Sequence, residues 1–155
     1  MILWRISNHA DLRGLGGLYA PGRWHTQGRQ VIYFAESPSS ALLEILVHFE
    51  IDRDDLPDTY QLLKVEAPDG IRVDAITLES LPEHWKDSEL VTRTVGAEWL
   101  RRGETALLRV PSAIMPETWN WLLNPRHADA AHVRILTANT YDHDLRLLGK
   151  YRLRK

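Results

Sequence analysis

The chain has 155 residues, 44% of them hydrophobic and 26% charged, which suits one ordinary globular domain able to bury a core without staples. Lysine and arginine total 19 against 21 acidic residues, a formal charge of −2, so a whole-protein basic footprint for nucleic acid is missing. The cysteine count of zero excludes a disulfide scaffold, a Cys-ligated zinc or Fe–S centre and a cysteine nucleophile. The six tryptophans supply core, and also flat surfaces on which a ring can stack.

The N-terminus meets charge at Arg5 after a very short apolar start, unlike a signal peptide. The longest apolar stretch, Ala41–Phe49, is interrupted by Glu44 and His48. No membrane span is expected, and the cytoplasm is the expected location.

In chain order, Met1–Ile6 reads as a first strand. Asp11–Gly28 carries five glycines (Gly14, Gly16, Gly17, Gly22 and Gly28) and reads as an irregular loop. Gln30–Ala35 is a β-branched and aromatic run, a second strand. Ser37 then offers an N-cap and Pro38 a first helical residue, which predicts a helix from about Pro38 to Phe49. An acidic loop over Asp52–Asp58 leads to a strand at Thr59–Glu66, a Pro68-Asp69-Gly70 turn and a strand at Ile71–Val73. Ser88–Arg102 keeps helical spacing through Leu90, Val91, Val95, Trp99 and Leu100, and Gly103 ends it. A strand at Thr105–Val110, a helical turn at Pro116–Asn124 and a strand at Val133–Ala138 follow, before a basic tail over Arg146–Lys155. Strands and helices mix without a regular βαβ rhythm, which makes the fold class α+β in a single domain over residues 1–155.

Candidate chemistry begins with Glu44. The Ala41–Phe49 segment is apolar on nearly every helical face, as in a helix buried all round. Glu44 shares a face with Ala41, Ile45 and His48. A carboxylate there is paired, set at an exposed helix edge, or held at a site, because an unpaired buried charge is costly. Arg23 lies in the loop PGRWHTQG, where its planar fork suits phosphate or carboxylate, although a solvated loop arginine is the simpler reading. Trp24 beside it is a stacking platform or a core residue. Tyr33 is central in its strand, sharing a face with Val31 and Ala35. Ser112 follows the Val110-Pro111 strand end without a GxSxG elbow. The histidines form no HExxH or tight ligand pair, so no metal is expected, and Gly14–Gly17 is neither GxGxxG nor a P-loop.

These residues occur in a familiar order. Residues 22–48, GRWHTQGRQVIYFAESPSSALLEILVH, resemble the N-terminal signature of the RES domain family. Residues 110–129, VPSAIMPETWNWLLNPRHAD, resemble its C-terminal signature, with Ser112, Asn124-Pro125 and His127. His25 departs from the asparagine that many members carry. The resemblance implies an α+β core like that of the ADP-ribosyltransferases, with mixed, mostly antiparallel sheets and flanking helices. It implies the toxin of a bacterial toxin–antitoxin pair, causing growth arrest, with an Xre-type helix-turn-helix antitoxin as partner; a homodimer within that complex is compatible with it. It implies NAD as substrate, with no prosthetic group, no direct nucleic acid and no membrane partner. The implied activities are hydrolysis or phosphorolysis of NAD, or transfer of ADP-ribose to a protein. A catalytically silent module that binds a nucleotide or the antitoxin is the alternative of another class.

Carried over by position, the implied functional residues are Arg23, Tyr33, Glu44 and Ser112, with Trp24 and Asn124 as further substrate-binding candidates. The chemistry is consistent with this set. Nicotinamide leaves a pyridinium as a neutral base and needs no proton, so one carboxylate facing the oxocarbenium-like ribose is enough, whereas an O-glycosidase needs two. Arg23 would hold diphosphate or ribose, Tyr33 would border nicotinamide, and Ser112 would orient a hydroxyl or the carboxamide. The start of the Ser37–Phe49 helix, with Ser39 and Ser40, would add a phosphate-friendly dipole.

Overall fold

Strands whose side chains are buried on both faces give this chain two cores separated by one sheet. The computed structural model describes residues 1–48 and 57–147. The strands are β1 (Ile2–Ile6), β2 (Ile32–Ala35), β3 (Thr59–Glu66), β4 (Val73–Ala75), β5 (Leu107–Pro111), β6 (Trp119–Leu123) and β7 (Arg134–Asp142). They form a seven-stranded sheet in the order β4-β5-β6-β2-β1-β3-β7. Only β4 and β5 pair in parallel; the other neighbours are antiparallel. The fold is thus α+β with a mixed, mostly antiparallel sheet, as expected from the sequence.

Period-two alternation divides the core. Ile32 and Phe34 join Leu3, Leu63, Leu107 and Trp121 on one face, while Val31 joins Leu108, Val110 and Leu122 on the other. Three helices flank the sheet: α1 (Gly16–Tyr19), α2 (Pro38–His48) and α3 (Glu89–Arg102). The expected helix start is present, with the Ser40 N–H donating to Ser37 Oγ at 3.1 Å. α3 stops at Gly103, whose φ of 59° lies in the left-handed region and whose N–H donates to the Trp99 carbonyl at 3.0 Å.

Five expectations change. Pro116–Asn124 holds the central strand β6, not a helical turn: Trp119–Leu123 pairs with β5 on one side and β2 on the other. A short apolar run buried on both faces carries no period that separates strand from helix, so its neighbours decide. The strand expected at Ile71–Val73 begins at Val73, because the Ile71 N–H still closes the turn on the Pro68 carbonyl. The loop Asp11–Gly28 contains the single turn α1. α2 is not buried all round: only Ala41 is fully buried and Val47 is 49% exposed, since one face rests on the sheet. In α3 the inward face is Thr92, Gly96 and Trp99, and Leu90 is 76% exposed. Phe49, most of the Asp52–Asp58 loop and the tail beyond Leu147 lie outside the described residues.

Candidate active site

The site lies where the sheet opens. β1 and β2 share one register pair, Trp4 opposite Ala35. Continuing that antiparallel ladder would set Ile6 opposite Tyr33, but the strands part there. A cavity of about 560 Å³ occupies the opening, walled by β1, β2, the Gly16–His25 loop, one face of α2 and the β5–β6 connection. Its size suits a small-molecule ligand.

Glu44 enters from α2. Ala41, Glu44, Ile45 and His48, the face read from helical spacing, all line the cavity. Glu44 Oε1 accepts from Ser112 Oγ at 2.9 Å and from Asn120 Nδ2 at 2.6 Å. A carboxylate only accepts, so both partners donate and the charge is held without a cation. Ser112 is itself buried, and its Oγ also accepts the N–H groups of Ile114 and Met115 at 3.2 Å each. It reaches Glu44 rather than standing on the cavity wall.

Tyr33 and Arg23 meet Glu44 around the same cavity. The Tyr33 hydroxyl accepts the Trp24 N–H at 3.1 Å and lies 2.8 Å from His25 Nδ1. His25 Nε2 is 3.2 Å from the Ala20 carbonyl, which only accepts, so Nε2 carries the proton and Nδ1 receives the Tyr33 O–H. Burial pushes the Tyr33 phenol well above its ordinary value, against a smaller opposing effect of the Trp24 N–H. It stays neutral. Arg23 Nη1 donates to the Lys86 carbonyl at 3.0 Å, which leaves the rest of its fork unused among the described residues.

The Gly22–His25 loop is pinned by α3, a helix whose bearing on the site the sequence did not reveal. Thr92 Oγ1 donates to the Arg23 carbonyl at 2.6 Å, and Arg93 Nε donates to the Gly22 carbonyl at 2.9 Å. Gly96 lets the Trp24 backbone touch α3. Trp24 borders the cavity, but its ring is 2% exposed and packs tilted on Trp85 at 5.9 Å between centroids, which is a core placement.

Two candidates lie elsewhere. Asn124 follows β6 at the end opposite Asn120 and does not line the cavity; its Oδ1 accepts the Arg126 N–H at 3.1 Å and shapes the turn. Asn120 occupies the position by Glu44 that the sequence reading gave no residue. The α2 N-terminus is also off the cavity wall, and Ser37 Oγ bonds the hydroxyls of Ser39 and Ser40 at 3.1 and 2.9 Å. No group of three His, Cys, Asp or Glu is placed to hold a metal, and no helix is long and apolar enough to cross a membrane, among the described residues.

The His25–Tyr33 contact makes stability depend on pH. Burial holds the His25 imidazole below its ordinary value, opposed by the Ala20 hydrogen bond and assisted by the Arg93 charge. The unfolded chain therefore binds a proton that the folded chain refuses, and stability must fall as pH drops below about 6.5. We expect the slope between about pH 6.5 and 5, at most about 1.4 kcal/mol per pH unit, to be flatter in His25→Asn. Urea unfolding across that window checks this; equal slopes would refute it.

A mixed sheet opening over a cavity with one carboxylate and two arginines on its wall defines a small α+β domain built around a ligand cleft. The chain belongs to the RES domain family, whose model matches residues 2–147. It is 51% identical over 135 residues to "Toxin Res" of Pseudomonas putida, covering 87% of this chain and 92% of that protein. It is 35% identical over 158 residues to the "Prs ADP-ribosylating toxin" of a Sphingobium species, covering 95% and 96%. Among solved structures, the M. tuberculosis MbcT-MbcA toxin–antitoxin complex contains a chain similar in fold, with a TM-score of 0.71 at 16% identity over 97% of this chain and 88% of that one.

Proposed function

We propose that this protein is the toxin of a cytoplasmic toxin–antitoxin pair and that it cleaves the bond between nicotinamide and ribose in NAD. The observation that carries the reading is the Glu44 carboxylate at the wall of the β1–β2 opening, held by the neutral donors Ser112 and Asn120. As the C1′–N bond breaks, its electron pair goes to the pyridinium nitrogen and nicotinamide departs neutral. Positive charge then develops on the ribose. A fixed negative charge beside it, already hydrogen-bonded, stabilises that state without reorganising. Ser112 and Asn120 act as positioning residues for the carboxylate. Tyr33, locked by Trp24 and His25, offers its ring edge to nicotinamide, and Arg23 turns its remaining donors to ribose or diphosphate.

Water or phosphate as acceptor gives hydrolysis or phosphorolysis. A protein acceptor gives ADP-ribosylation, a reading favoured by the name of the Sphingobium relative. The antitoxin partner, taken to be of the Xre helix-turn-helix type, draws support from the toxin names of the relatives and the complex containing the similar fold.

Incubation of pure protein with NAD, with and without phosphate and with a cell extract, separates these outcomes. Free nicotinamide should appear, accompanied by ADP-ribose, its 1″-phosphate or a modified protein. Undiminished NAD in every arm would leave the silent binding module instead.

A further inference from the structure

The cavity wall carries a second arginine that neither signature contains. Arg5 sits on β1, lines the cavity and is only partly exposed. Asp11 is the acid whose charge is felt at Arg5, yet Asp11 is already bonded to Arg13 through Oδ2 at 3.0 Å. No carboxylate or carbonyl among the described residues accepts from the Arg5 guanidinium. Burial also pulls its proton affinity below the ordinary value, the signature of a charge taken from water without full compensation.

Glu44 is the sole acid on that wall, and it is not paired with Arg5. The cavity therefore presents a cation without an anion and, separately, an anion held by neutral groups. A ligand that satisfies both carries opposite charges at separate points: a cationic ring–sugar end for Glu44 and a phosphate end for Arg5.

We infer that Arg5 is the cavity's phosphate-binding residue, its fork holding the diphosphate oxygens of a dinucleotide whose cationic end lies at Glu44. The assignment of the other end rests on the NAD reading above. The phosphate contact itself does not. A guanidinium presents two parallel N–H donors to phosphate oxygens, a geometry that lysine lacks. Arg23, with one donor committed to the Lys86 carbonyl, is then free to serve the ribose.

Titration calorimetry with ADP-ribose and with nicotinamide, on wild type and Arg5→Gln, tests this. Losing a charged hydrogen-bond pair should weaken ADP-ribose by about tenfold or more. Nicotinamide, which has no phosphate, should bind equally to both proteins. With NAD as substrate, KM should rise similarly while kcat changes less than about threefold, since Arg5 does not touch the breaking bond. Equal ADP-ribose affinity in wild type and variant overturns the assignment, as does a loss confined to kcat. If wild type consumes no NAD but Arg5→Gln still loses ADP-ribose, the cleavage reading fails and the phosphate site stands. Should Arg5→Gln not fold, Arg5→Lys keeps the charge and loses the fork; ADP-ribose affinity reduced by about threefold or more supports the site, and unchanged affinity overturns it.

Discussion

Glu44→Gln is expected to leave a folded protein whose release of nicotinamide falls by on the order of 10²–10³-fold or more. The substitution is nearly isosteric. The carbonyl oxygen of the new amide can still accept from Ser112 and Asn120, whose bonds to Glu44 Oε1 measure 2.9 and 2.6 Å. Only the charge is lost. Because neutral donors hold the carboxylate, no partner cation is stranded, and the unfolding free energy should move by less than about 1 kcal/mol. Nicotinamide release by chromatography and urea unfolding together decide the matter. Retained turnover in a folded variant would remove Glu44 from the chemistry, while lost turnover with a collapsed fold would reassign it to structure.

Gly96→Ala offers a sharper contest, because two effects predict opposite signs. In an open helix interior, alanine replaces glycine with a gain of about 1 kcal/mol. Here a Cβ on Gly96 would overlap the Trp24 carbonyl oxygen and stand 2.8 Å from its carbonyl carbon. Backbone cannot swing aside as the end of a side chain can. Either α3 retreats or the Gly22–His25 loop lifts, and each breaks the Thr92 and Arg93 bonds to that loop. A loss of about 3 kcal/mol or more is expected, together with weaker NAD turnover as Arg23 and Tyr33 lose their support. Denaturant unfolding gives the sign directly; a stabilised variant would mean that the close approach is absent in solution.

Both predictions turn on contacts between distant parts of the chain, and that separates what could be read in advance from what could not. Glu44, His48, Ala41 and Ile45 were legible as one face because the 3.6-residue period is local. That this face borders a cavity depends on where β1 and β2 part. Asn120 was invisible for the same reason that β6 was misassigned. Its place beside Glu44 follows only when Trp119–Leu123 enters the sheet between β5 and β2. Asn124, four positions on, carried the resemblance but lies at the other end of that strand. Arg5 looked like the charge that ends an apolar start, and nothing in its neighbours indicated a cavity.

What the sequence determined by itself are features whose partners lie within one turn of chain. Ser37 caps the residue three positions on, Gly103 ends α3 by bonding four residues back, and alternation along β2 assigns Tyr33 and Phe34 to opposite faces. Tertiary structure alone decided the rest: Ser112 and Asn120 reach Glu44 across 68 and 76 residues of sequence, and Thr92 reaches Arg23 across 69. Such contacts follow from sheet order and packing, which balance the whole chain's burial against its entropy, so no local window of sequence contains them.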